Sequence, residues 1–160
     1  MEKKRFCECV TKYRDELYIM ALAILRNEID AEDAVSNGIL KAYENLGQLK
    51  NSHKFKPWML TITKNEALKI KKKRLTLPGN EVVEATLEPV LEHYDELWDV
   101  LQEIKEEYRL VVVLFYYDGL SLRDIASVLD LPVGTVKSRL SRGKEILRHA
   151  LERGNENDGV

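Results

Sequence analysis

The stretch SLRDIASVLDLPVGTVKSRLSRGKEIL, Ser121 to Leu147, crowds Lys137, Arg139, Arg142 and Lys144 into a few helical turns. A guanidinium can take a guanine edge bidentately and an ammonium can take a phosphate, so the chemistry on offer is the holding of a polyanion. Thr135, Ser138 and Ser141 lie among these cations and are small enough to permit close approach to a groove. No nucleophile, base and orienting group stand at usable spacing, and no Gly-rich phosphate loop is present, so no catalytic residue and no cofactor are assigned.

The elements that must position these side chains can be read from the same stretch. Ser121 suits a helix N-cap with Asp124 at N3, and Leu122, Ile125, Ala126 and Leu129 follow as a buried stripe. Asp130-Leu131 ends that helix. Pro132 suits the first position of the next, whose inward face is Val133, Val136, Leu140 and Leu147. The result is a helix-turn-helix, with Thr135, Ser138, Ser141 and Arg142 outward and Lys137 and Arg139 on the flanks. In this motif the start of the second helix enters the major groove of duplex DNA. Lys144 and Arg148 are placed for phosphates.

Charge is segregated along the 160 residues, so the net charge of −2 says little about nucleic acid. Lys64, Lys69, Lys71, Lys72, Lys73 and Arg74 form a basic cluster broken by Glu66, whereas Leu75 to Tyr94 has no Lys or Arg and carries Glu81, Glu84, Glu88 and Glu92. Phosphates respond to local fields within a Debye length of about 8 Å, and the basic cluster is large enough to meet them as well as to complement a helix end.

Apolar spacing reads helical almost throughout, with Val35, Ile39, Ala42 and Leu46 on one stripe. Leu97, Val100, Leu101, Ile104, Tyr108, Val111 and Phe115 form another, continuous with the run Val111 to Tyr117. The fold class is all-α. Leu77-Pro78-Gly79-Asn80 and Pro89 bracket a weakly periodic acidic stretch, giving two small helical domains, 1–74 and 95–160, joined by a linker over 75–94. Each domain is small enough that docking on a larger partner is expected.

Cys7 and Cys9 are too close for an ordinary bridge and lack a second pair for zinc, so reduced thiols and no metal are expected. No apolar run approaches the roughly 18 residues of a spanning helix. The expectation is a cytoplasmic protein without membrane insertion.

The segment DGLSLRDIASVLDLPVGTVKSRLSRGKEILRHAL resembles region 4 of the extracytoplasmic-function (ECF) group of bacterial sigma factors, most closely over Gly134 to Arg139. Gly143 departs from the alanine usual there and should weaken the helix by about 1 kcal/mol. IDAEDAVSNGILKAYENLGQLKNSHKFKPWMLTITKNEALKIKKKR resembles region 2 of the same group, with Ser36 where many members have glutamine. Asp30 is the expected cap of a helix beginning at Ala31, with Glu32 and Asp33 complementing its dipole.

The resemblance implies a transcription initiation factor that binds core RNA polymerase and promoter DNA, with an anti-sigma factor as a further partner. It implies that Thr135, Lys137, Ser138, Arg139, Ser141, Arg142 and Lys144 serve the minus-thirty-five duplex. It also implies that the loop after Leu46 captures a base flipped from the minus-ten element. Lys50, Asn51, Ser52, His53 and Lys54 are the loop's candidates, with Trp58 and Asn65 on the following helix. Trp58 is weighted toward packing. Asp33, Asn37, Lys41 and Glu44 would face the polymerase. Two readings compete: a stand-alone helix-turn-helix regulator and a protein-interaction module.

Overall fold

The computed structural model describes residues 1–78, 95–157 and 159. Seven α-helices occur among them: α1 (Lys3–Leu25), α2 (Glu28–Glu44), α3 (Phe55–Thr76), α4 (Asp95–Glu103), α5 (Glu106–Val112), α6 (Leu122–Leu129) and α7 (Val133–Asn157). The expected linker falls largely on residues 79–94, outside the described residues. Helix α3 runs to Thr76, two residues past the expected boundary at 74.

Helices α1, α2 and α3 pack pairwise around Leu17, Met20, Phe55, Met59 and Leu60. Gly38 sets the α2–α3 distance: a Cβ there would lie 2.8 Å from Thr63 Oγ1 and 3.2 Å from Thr63 Cα. The cap of α2 differs from expectation. Asn27 Oδ1 accepts from the Asp30 N–H at 3.0 Å, so the helix starts at Glu28 and Asp30 sits in its first turn, buried and paired with Arg74 at 2.5 Å. Both residues are good caps, but only Asp30 has a cation from α3 to hold it inside.

In the C-terminal half the apolar stripe continues across a break, because α4 ends at Glu103 and Lys105 precedes α5. The run Val111 to Tyr117 is helical, as expected, yet its second part, Val113–Tyr117, widens by one residue per turn. The Asp118 N–H donates to Val113 O, five residues back, at 3.1 Å. Gly143 of α7 faces α5, just ahead of this turn: a Cβ would lie 2.6 Å from Val112 Cγ2. The glycine that weakens α7 is therefore what lets α5 and α7 close together.

The two halves also pack on each other, α3 against α6 and α1 against α5 and the wide turn. Arg109, 4% exposed, donates from Nε to Ala23 O at 2.8 Å and from Nη1 to Ile104 O at 3.2 Å, tying the end of α1 to the other half.

Candidate nucleic-acid interface

The helix-turn-helix forms as its sequence dictates. Ser121 Oγ accepts the Asp124 N–H at 3.1 Å, and of the expected stripe Ile125 and Ala126 are buried while Leu122 and Leu129 are half-buried, with Val128 completing the inner face of α6. Asp130 closes α6 in the left-handed conformation at φ 53°, which its short polar side chain tolerates better than most, and Leu131 N–H returns to Ala126 O at 3.0 Å. Pro132 O accepts from the Val136 N–H, which starts α7 at Val133. Val136, Leu140 and Leu147 are buried as expected. Val133 is not: it is 37% exposed, because the first turn of α7 projects beyond the core.

On the outer face of α7, Lys137, Ser138, Ser141, Arg142 and Lys144 are exposed, with Thr135 and Arg139 half-buried. Ser138 Oγ donates to Thr135 O at 3.0 Å. Arg142 pairs with Glu145 at 3.0 Å and Arg139 lies 3.6 Å from Glu107. Both acids are on the surface, so these pairs are weak enough to exchange for phosphate or base. Lys144 Nζ rests over Phe115 and Tyr116, 5.4 and 5.6 Å from their ring centres, which fixes its position by cation–π attraction.

The loop candidates cluster between α2 and α3. Asn51 Oδ1 accepts the His53 N–H at 3.0 Å and opens a single tight turn over Ser52–Lys54, so Asn51 shapes the loop. Lys50, Asn51, His53 and Lys54 are exposed and Ser52 is half-buried. Lys50 and Ser52 line an open cleft of about 730 Å³ with Leu49, with Met1 and Glu2 just ahead of α1, and with Arg5 in its first turn. Arg5 belongs to no motif and was invisible in the sequence for that reason. Trp58 is half-buried, its ring 6.2 Å from that of Phe55, and Asn65 is exposed on α3.

The basic cluster is more engaged than its spacing implies. Lys71 pairs with Glu106, Arg74 with Asp30, and Lys69 with Glu66 at 3.3 Å. Lys54 pairs with Asp124 of α6 at 2.8 Å. Lys64 Nζ donates to Val128 O at 2.6 Å, and burial pulls its pKa down although Asp130 opposes this. Helix α6 is thus held at both ends by lysines of the other half, one on a carboxylate near its N-terminus and one on a carbonyl near its C-terminus.

On α2, Asp33, Asn37, Lys41 and Glu44 are exposed along one face. Leu40 shares it at 60% exposure, an apolar member that polar patterning hid. Lys41 Nζ reaches Glu66 Oε1 at 2.7 Å, and that hydrogen bond holds the Glu66 carboxyl below its ordinary pKa despite burial. Among the described residues no cluster of His, Cys, Asp or Glu could hold a metal, Cys7 and Cys9 are free, and no helix is long and apolar enough to cross a membrane.

Comparison with known proteins fits this geometry. The family model described as Sigma-70 region 2 matches residues 9–75, and that described as Sigma-70, region 4 matches residues 94–147. The ECF RNA polymerase sigma factor SigW of Bacillus subtilis is 31% identical, the match covering 94% of this chain and 90% of SigW. The chain belongs to the ECF sigma factors. As such it directs RNA polymerase to promoters. The RNA polymerase sigma-H factor of Pseudomonas aeruginosa is 27% identical, with 94% of this chain and 88% of that protein covered. Among solved structures, the sigma factor RpoE in complex with the anti-sigma factor NepR from Bartonella quintana shares the fold. Its TM-score is 0.81 at 22% identity, covering 93% of this chain and 98% of that one. CnrH in complex with the cytosolic domain of CnrY does so at TM-score 0.70 and 20% identity, covering 95% and 90%.

Proposed function

We propose that this sigma factor works through two domains, 1–74 and 95–160, with 75–94 between them, and that each contributes one promoter contact. Thr135, Lys137, Ser138, Arg139, Ser141 and Arg142 of α7 read the minus-thirty-five duplex, Arg142 by direct base contact, while Lys144 holds a phosphate. Lys50, Asn51, Ser52, His53 and Lys54, with Asn65, engage the separated minus-ten strand, and Trp58 supports the loop from below. The cleft beneath the loop offers room for an extruded base, with Arg5 and Lys50 on its walls. Asp33, Asn37, Leu40, Lys41 and Glu44 dock on core RNA polymerase. The protein itself performs no catalysis, acts in the cytoplasm and is held in check by an anti-sigma factor.

The observation that carries this reading is the outer face of α7. Lys137, Ser138, Ser141, Arg142 and Lys144 stand exposed there, with Thr135 and Arg139 half-buried, and Val136 and Leu140 lie buried beneath them, so the reading surface is rigidly backed. The test is transcription from core polymerase plus this protein on a set of promoters. Arg142→Ala should relax upstream preference by about 1–3 kcal/mol at one base pair. Lys144→Ala should weaken all promoters alike and lower the salt slope by about one. His53→Ala should shift only downstream preference. Absence of promoter-specific transcripts despite tight core binding overturns the assignment.

A further inference from the structure

Within the wide turn Val113 and Leu114 are buried, Phe115 and Tyr117 are half-buried, and Tyr116 stands 55% exposed. Turns widened in this way recur at functional sites. The Tyr116 ring is held in place. Phe115 meets it edge-on, with centroids 4.9 Å apart and planes at 85°, and Lys144 Nζ of α7 stands 5.6 Å from its centre. Its hydroxyl makes no hydrogen bond among the described residues. A tyrosine fixed by its ring and free at its tip is a hydrogen-bond donor in want of an acceptor.

The flank of α7 beside Tyr116 is cationic. At about 100° per residue, Lys137 and Lys144 differ in phase by only about 20°, and Arg148 follows Lys144 about one turn later, so the three form one row. All three are exposed. The row runs between the buried Val136 and Leu140 and the outward Ser138, along the side of the helix that a groove wall would meet. The acids adjacent in sequence do not oppose an anion there: Glu145 is paired with Arg142 at 3.0 Å, and Asp118 is buried.

We propose that Tyr116 is a backbone contact of the upstream duplex: its hydroxyl donates to a phosphate oxygen next to the one that Lys144 holds. The proposal rests on the reading of α7 as the groove-reading helix. Tyrosine is among the side chains that hydrogen-bond DNA phosphates, and such contacts fix register and orientation without carrying sequence information. The rings contribute a second effect. An ammonium resting over Phe115 and Tyr116 keeps its N–H donors for phosphate, and because it is already ordered it loses less side-chain freedom on binding. Tyr116 thus joins the row Lys137, Lys144 and Arg148 as its one neutral member.

The test assembles the full chain with core polymerase and measures promoter binding across a potassium chloride series, with thermal melts of the free chain alongside. Tyr116→Phe keeps the ring under Lys144 and removes only the hydroxyl. It should bind every promoter about tenfold more weakly, the scale of one hydrogen bond to a charged acceptor. Its salt slope should match the wild type, because a neutral donor releases no counterion. Its melt should also match, because the side chain is exposed. Tyr116→Lys should steepen the slope by about one, since a cation at this position neutralises a further phosphate. Wild-type affinity of Tyr116→Phe, a loss confined to one promoter sequence, or an unchanged slope for Tyr116→Lys overturns the contact. Arg142→Ala and Lys144→Ala are run in the same series. If they alter binding and the Tyr116 variants do not, the contact falls and the groove reading of α7 stands; if all four bind as the wild type does, the groove reading falls and takes the contact with it.

Discussion

Arg109 Nε on α5 donates to the Ala23 carbonyl of α1 at 2.8 Å, across 86 residues of sequence. Ala23 O is among the last carbonyls of α1, which have no partner inside their own helix. The same guanidinium reaches Ile104 O at 3.2 Å and Gln102 O at 3.4 Å, so one buried cation satisfies loose ends on both halves. Arg109→Ala leaves these buried acceptors without a donor, at about 1–3 kcal/mol each. Urea denaturation should show a stability loss of at least about 2 kcal/mol, and Arg109→Lys, with fewer and less rigid donors, should fall between.

Gly143 should resist replacement by its better helix former. Alanine gains about 1 kcal/mol of intrinsic propensity, but its Cβ would press on Val112 Cγ2, and a β-branched neighbour has little rotamer freedom to yield. Overpacking of this kind costs about 1–3 kcal/mol. Gly143→Ala should therefore be neutral to about 2 kcal/mol less stable. A double-mutant cycle with Val112→Ala, read by urea midpoints, should show the pair more stable than the sum of the singles.

Leu40 separates stability from assembly. Because it is 60% exposed, Leu40→Glu should change unfolding free energy by no more than about 0.5 kcal/mol. On the proposed docking face it should weaken core polymerase binding at least tenfold, measured by competition with a labelled sigma factor. Unchanged binding removes Leu40, and with it this face of α2, from the interface.

Glu66 makes the N-terminal half acid-sensitive. Its pKa lies below the ordinary 4.5, first through the hydrogen bond from Lys41, so it binds fewer protons folded than unfolded. Its contribution is complete above about pH 4.5 and is lost as pH falls through the depressed value. Glu66→Gln should flatten that acid limb in thermal melts taken from pH 6 down to pH 3, with little change in shape above pH 5.

Local chemistry was legible in the sequence and long-range pairing was not. Ser121 and Asp124 announce the start of α6 because capping needs only neighbours, and the outer face of α7 follows from the burial of Val136 and Leu140. Two adequate caps, Asn27 and Asp30, stand three residues apart, and only Arg74, on another helix, decides between them. Lys54 read as a loop candidate for the minus-ten element and Lys64 as a member of the basic cluster, yet each meets its partner more than 60 residues away. Gly143 was visible as an oddity, but its reason, Val112, is tertiary. Arg109 lay unnoticed beside an apolar stripe for the same cause.

The widened turn at Val113–Tyr117 acts as a gear tooth in the chain. At 3.6 residues per turn, one additional residue advances the helix phase by about 100°. It leaves Tyr116 at 55% exposure beneath Lys144 while Leu114 points wholly inward. Excising a single residue there would undo that offset within its own helix, so the aromatic seat beneath Lys144 of the groove-reading helix depends on a counting irregularity in an earlier element.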